Sequence, residues 1–518
     1  MIRNKLSLAV ALVMPLTTFA AENTTIAPEG VKTEVLTVTS SADDGSAGTL
    51  RWALDKNNQN PGHYRIELQS PNNQPLVIKP LKPLPAVQGP VEIINLDWLR
   101  NGKYAAIDGS GYIKGSDPQS CPGAVSGQYG ANVRTTTMPG LVLRDTHDVT
   151  LQGLEVRNFC IGILINRAKD NVIEDSRIVG NHGGAGIMMT GDDGKGNSTT
   201  TSTERNKIIR NAFINNGDGM ETTRGASFNL IADNFITTDQ VHNQEPSQGL
   251  EILWGNDNEV IHNHFENYSD GVQLNWGNRN DIAGNTFSNL SSAVTLSGTG
   301  NIVDGNTMTG NRVAVSVRPQ GEPGPNHTFG INRITGPAVN RITANIMVGN
   351  GQPVNRCFAG GSCLPGYAGA IIFNVPGLEH AAFIGNRGGG ISNDTSKLEK
   401  ICAIDGKSAD CEKTPNKDQH APLITHVSRQ QNDLTIDGQV KGEANTLYRV
   451  EFFSNSKSAM DEAEHYLGYQ MVAIDAKGEG VIHEKMTLAA DLPVANVTAT
   501  ATTNDGATSP LSTPTALK

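Results

Sequence analysis

Aromatic residues make up only 5% of this 518-residue chain, against 37% for all hydrophobic types. With so few large rings, a core of this length has to be assembled from small aliphatics, which suits a stack of repeated layers. After the first twenty residues no run is long and apolar enough to cross a bilayer as a helix. Basic residues are outnumbered, 41 Lys and Arg to 52 Asp and Glu, for a net charge of −11. That balance argues against nucleic acid as a partner, because such binding needs a basic footprint to displace counterions. It leaves room for a small anionic substrate, which a local Arg or Lys can serve.

Cysteine is scarce too, six in all. The start, MIRNKLSLAVALVMPLTTFA, has Arg3 and Lys5 ahead of an apolar stretch and small residues. This is the layout of a secretory signal cut near Ala20, with no cysteine there for a lipid anchor, so the mature chain is expected in an oxidising compartment. Cys357 with Cys363 and Cys402 with Cys411 are spaced to close short loops, leaving Cys121 and Cys160. The pairing stays open.

What the chain does have is glycine, 56 residues, and asparagine at regular intervals. Asn pairs five apart begin at Asn206, Asn229, Asn258, Asn280, Asn301 and Asn340, with steps of 23, 29, 22, 21 and 39 residues. Each unit then runs through a Gly or Ala into alternating aliphatics, as in GLEIL and GVQLN. A period near 22 with three short strands and no helical pattern predicts an all-β fold, a right-handed parallel β-helix with one coil per repeat. Asparagines at one turn of successive coils would form hydrogen-bonded ladders. The reading divides the chain into a signal at 1–20, an N-terminal cap and first strands at 21–105, the β-helix at 106–400, a linker at 401–421 and a small β-sandwich at 422–518.

Aligning the third strand of each coil on its Gly or Ala sends the second and fourth positions inward. The outward column is then Leu164, Met188, Glu221, Glu251, Gln273 and Thr295. Neighbouring coils lie about 4.8 Å apart, so Glu221 and Glu251 should stand side by side, a costly arrangement unless a proton, cation or substrate lies between them. Just beyond come Arg224, the tripeptides Trp254-Gly255-Asn256 and Trp276-Gly277-Asn278, and Asn275. Loops longer than a turn requires carry Asp192, Asp193, Lys195 and His242. Glu221, Glu251, Asp192, Asp193 and His242 are therefore candidate catalytic residues. Arg224, Lys195, Trp254, Asn256, Gln273, Asn275 and Trp276 are candidates for binding substrate. No cofactor is called for, although the carboxylates would accept a divalent metal. The bland readings are that the tryptophans pack a turn and that the GDDGKGN loop is ordinary turn chemistry.

The segments IDGSGYIKG, CPGAVSGQYGANVRT, TGDDGKGN, GDGMETTRGASFNLIADN, EPSQGLEILWGNDN, NYSDGVQLNWG and NRGGGI resemble the periplasmic β-helical 3-dehydroshikimate dehydratases of bacterial quinate and shikimate catabolism. The resemblance runs along nearly the whole chain beyond the signal. It implies conversion of 3-dehydroshikimate to protocatechuate in the periplasm. It also implies loose association with the inner membrane, downstream of quinoprotein dehydrogenases. It carries no catalytic residues with it. Two other functions compete: a polysaccharide lyase or other carbohydrate enzyme, which would want cations spaced along an open cleft, and a surface adhesin, which has no need of adjacent carboxylates.

With the cysteines clustered outside the regular coils, disulfides are expected to pin loops rather than the core, and oxidised protein should melt above reduced protein. Equal melting temperatures would contradict this.

Overall fold

The computed structural model describes residues 33–113, 138–181, 184–191, 202–239, 248–318, 320–323, 331–336, 338–351, 368–374, 383–385, 415–457 and 462–518. Three long sheets of 11, 10 and 10 strands run side by side along the chain, and each coil contributes one strand to each. Nearly all pairings within them are parallel and join one coil to the next, as between Leu230–Ala232 and Glu259–Ile261. The protein is a parallel β-helix. Its inward residues are Ile, Val, Leu, Met and Phe in one continuous core. Phe265 and Phe287 of adjacent coils stack within it, with centroids 5.1 Å apart and planes at 6°.

The predicted asparagine ladders are present. Asn206, Asn229, Asn258, Asn280 and Asn301 each pass a side-chain N–H to the Oδ1 of the next asparagine, ending at Asn340, at 2.9–3.1 Å. A second ladder runs from Asn211 through Asn234, Asn263, Asn285 and Asn306 to Asn345. Each amide also satisfies a backbone group, as Asn263 does for Ile231 O, so the turns carry their buried polar atoms without water.

The stack opens with strand Glu34–Val38, paired in parallel with Tyr64–Leu68. Helix Leu50–Gln59 lies between them in sequence, started by Thr49, whose hydroxyl accepts from Trp52 N. Its Leu50, Ala53 and Leu54 join the main core, as a cap over the open end requires. At the other end the segment 423–516 forms a three-stranded and a four-stranded antiparallel sheet around a core of their own. Phe453, Ala463 and Leu511 of this sandwich belong to the β-helix core instead. Asn416, within the stretch expected as linker, continues the first ladder by accepting from Asn340 N and donating to Thr508 O. The sandwich is thus a second cap.

One expectation about the cysteines is corrected. Cys160 is disulfide-bonded, but it is fully buried in the β-helix core just before strand Ile161–Asn166, so its bridge is anchored in the core. The other five cysteines lie outside the described residues.

Because the sandwich supplies Phe453, Ala463 and Leu511 to the β-helix core and Ala463 pairs with Met347 of the last coil, deleting 422–518 should expose Ile342 and Met347 and lower the melting temperature sharply. A truncate that melts with the full chain would show that the β-helix closes without its sandwich.

Candidate active site

The sheet that carries the site is ordered Ile161–Asn166, Ala185–Thr190, Asp218–Thr223, Gln248–Leu253, Asp270–Asn275 and Ser292–Leu296 through its middle. Met220, Leu250 and Val272 point into the core. The residue after each of them therefore faces the other way, and the register sets Met188 opposite Glu221, Glu221 opposite Glu251, Glu251 opposite Gln273 and Gln273 opposite Thr295. This is the column read from the sequence. Its lower part is apolar, with Ile161, Leu164, Ala185 and Met188 in a small cluster of their own. Glu221 and Glu251 are only 3% and 5% exposed, so two carboxylates share a desolvated place where mutual repulsion is poorly screened.

A second row of the same face escaped the sequence reading. Gln248 pairs with Asp270 and Asp270 with Ser292, while Asp218 accepts from Gln248 N at 3.0 Å. Aligning each strand on its Gly or Ala begins one residue too late to count these, and an Asp before Gly reads as turn chemistry. Asp218, Glu221 and Glu251 bring carboxylate oxygens within 4.8 Å of one another. Further along, Asn275 Nδ2 donates to Glu251 Oε1 at 2.9 Å and to Gln273 Oε1 at 3.0 Å. Gln273 Nε2 in turn donates to Asp270 Oδ2 at 2.8 Å. Burial pushes the Asp270 carboxyl up from 3.8 to about 6, against the pull of the Arg318 charge and hydrogen bonds from Gln273, Thr295 and Ser292.

The corner after these strands explains the repeated WGN. Arg224, Trp254 and Trp276 all take the left-handed conformation, with φ of 53°, 56° and 62°. Each passes its backbone N–H to the next coil, to Leu253 O, Asn275 O and Ser297 O. A Cβ on Gly277 would lie 2.7 Å from Gly255 O, so the following position has to be glycine. Asn256 Oδ1 accepts from Asn278 N at 2.9 Å, which makes this asparagine part of a corner ladder. The indoles themselves stack, with centroids 5.0 Å apart and planes at 17°, and the Arg224 guanidinium lies 6.0 Å from the Trp254 ring. Bulky residues are uncommon in this backbone region, so the wall is held at some conformational cost. Trp276 is nearly buried, and its Nε1 has no hydrogen-bond partner among the described residues. Asp192, Asp193, Lys195 and His242 lie outside the described residues.

The family model described as periplasmic copper-binding protein (NosD) matches residues 129–230 and 232–351. A 3-dehydroshikimate dehydratase of Acinetobacter baylyi is 50% identical over 481 residues, 92% of this chain and 94% of its own. Among solved structures, pectate lyase Pel9A is similar at 13% identity and a TM-score of 0.32, covering 55% of this chain and 72% of its own. A polygalacturonase of Erwinia carotovora is similar at 9% identity and a TM-score of 0.42, covering 62% and 94%. Copper does not fit the residues at hand. Among the described residues the one cluster with ligand spacing holds three carboxylates and no imidazole or thiolate, and copper sites favour nitrogen and sulfur donors. A hard divalent cation is chemically compatible with three oxygen donors, as is a shared proton.

The buried Asp270 yields a signed prediction. A carboxyl whose pKa is raised in the folded state binds its proton more tightly there, so its contribution is fully present below 3.8 and is lost as the pH rises through about 6. Asp270→Asn should therefore match wild type in melting temperature below about pH 4, gain on it as the pH rises from there to about 6, and keep a constant advantage above that. A variant less stable by the same amount at every pH would contradict this.

Proposed function

The chain belongs to the 3-dehydroshikimate dehydratase family, and from that premise we propose that Glu221 and Glu251 are the acid and base that remove water from 3-dehydroshikimate to form protocatechuate. In this substrate the C4 proton is acidified by the C3 carbonyl, and the C5 hydroxyl is the leaving group. One carboxylate takes the C4 proton and the other, protonated, gives its proton to the departing hydroxyl, which leaves as water. Loss of a C6 proton and gain of one at the C3 oxygen then complete the aromatic ring. Such an elimination needs a base, an acid and a donor to the enolate oxygen.

The observation that carries the reading is the parallel register that sets Glu221 directly against Glu251 in a buried place. Like charges so close raise the cost of ionising both, which leaves one group able to donate and its neighbour able to accept. Asn275 donates to Glu251 Oε1 at 2.9 Å, which favours the ionised form there, so Glu251 is assigned as the base and Glu221 as the acid. The flat ring of the substrate suits the Trp254–Trp276 wall, and Trp276 Nε1 is an available donor for a substrate oxygen. Arg224 is the first candidate to clamp the ring carboxylate, with Lys195 and then Arg318 behind it. The likeness to carbohydrate-active β-helices is too distant to favour a glycan substrate.

Export to the periplasm accords with the periplasmic description of the matched family model and with the layout of residues 1–20, which lie outside the described residues. No helix among the described residues is long and apolar enough to cross a membrane. Loose contact with the inner membrane, close to dehydrogenases that supply the substrate, is part of the same proposal.

The test is appearance of protocatechuate absorbance from 3-dehydroshikimate. Glu221→Gln and Glu251→Gln should each lower kcat by about 10²–10⁴ with the fold intact, and the double variant should be little worse than the worse single. Near-normal kcat in both singles would overturn the assignment. Loss of wild-type activity to a chelator, restored by a divalent cation, would replace acid–base roles with metal binding. Arg224→Ala should raise KM with Arg224→Lys restoring it only in part.

A further inference from the structure

We propose that Asp270 is a positioning residue for this chemistry, one that acts through Gln273 and Asn275 to ensure that Glu251 meets an N–H donor and not a carbonyl oxygen. The inference rests on the carboxylate-pair reading above. It concerns a residue that makes no direct bond to either glutamate among the contacts described.

An ionised carboxylate can only accept, whereas a primary amide has one donating and one accepting end. Asp270 Oδ2 takes the hydrogen bond of Gln273 Nε2 at 2.8 Å, which turns Gln273 Oε1 toward Asn275. Gln273 Oε1 then accepts from Asn275 Nδ2 at 3.0 Å, and the same Nδ2 reaches Glu251 Oε1 at 2.9 Å. Reversing either amide would set oxygen against oxygen at a buried contact. The charge on Asp270 therefore fixes the direction of the whole chain, and its far end is the proposed base.

The groups around Asp270 fit this role. Thr295 Oγ1 donates to the same Oδ2 at 3.3 Å, and Ser292, Gln273 and the Arg318 charge all lower its pKa against the effect of burial. On the preceding strand Gln248 stands opposite it, and Glu251 stands opposite Gln273 further along the same pair of strands. The equivalent place in the neighbouring coils is held by Gln248 and Ser292, both neutral. The fold thus accepts an uncharged side chain there. A 2% exposed aspartate at this point is a burden on stability that a purely structural role does not call for.

The experiment measures kcat, KM and melting temperature for Asp270→Asn, Gln273→Leu, their double variant and Glu251→Gln. Asp270→Asn keeps the shape but removes the obligate acceptor, so kcat should fall by about 10- to 100-fold, the worth of one hydrogen bond to a charged group, with KM within about threefold. Its melting temperature at neutral pH should not fall. Gln273→Leu cuts the chain at another link and should lose a similar factor, and the double variant should be no worse than the worse single. Wild-type kcat in both singles, or losses that multiply in the double variant, would overturn the proposal. If Glu251→Gln abolishes turnover while Asp270→Asn leaves it intact, the relay alone is wrong. If Glu251→Gln is itself fully active, the carboxylate-pair reading fails and takes the relay with it.

Discussion

Parallel stacking at fixed spacing is the constraint on which everything else in this protein depends. Each coil sets its strands directly over those of the last, so a residue type repeated at one position of successive coils becomes a column of contacts. For asparagine the result is stabilising, because each amide has both a donor and an acceptor and can serve the amide above and the backbone beside it. For phenylalanine it is a stack of rings in the core. For glutamate it is a problem, because two carboxylates at adjacent positions repel in a place that water does not screen. The fold imposes the same geometry on all three, and only the chemistry of the side chain decides whether the column holds the protein together or makes it reactive.

The same sheet shows how the site is kept from destabilising its surroundings. Its early coils carry Leu164 and Met188 in the outward column, and its later coils carry Thr295, so charge is confined to the middle. Within that stretch the amides of Gln273 and Asn275 separate Asp270 from Glu251. Both ends of the β-helix are closed, by the helix Leu50–Gln59 and by the sandwich, which contributes Phe453, Ala463 and Leu511 to the common core. In such a stack each coil is stabilised by its neighbours, so well-packed coils on either side offset the cost of the charged middle.

Much of this was legible in the sequence, for a physical reason. The period near 22 residues and the paired asparagines report directly on coil length and turn, and strand alternation has only two faces, so the pairing of Glu221 with Glu251 followed once the strands were aligned. The roles within WGN were less so. Its glycine is required by the approach of the Gly255 carbonyl and Asn256 by a corner ladder, neither of which a linear pattern reveals. Asp218 and Asp270 were missed because they precede the glycine that served as the alignment mark, where aspartate is common in any turn. The raised pKa of Asp270 depends on burial, which the local sequence does not report. The tie between sandwich and β-helix through Asn416 and Phe453 arises from residues far apart in the chain.

The central claim is that Glu221 and Glu251 divide one elimination between a protonated and an ionised carboxyl. The most direct measurement is the pH dependence of kcat/KM for 3-dehydroshikimate in the wild type and in each single glutamine variant. The account predicts a bell-shaped profile for the wild type, with the residual activity of Glu251→Gln lacking the acid limb and that of Glu221→Gln lacking the alkaline one. Two variants that keep both limbs of the wild-type profile would contradict it.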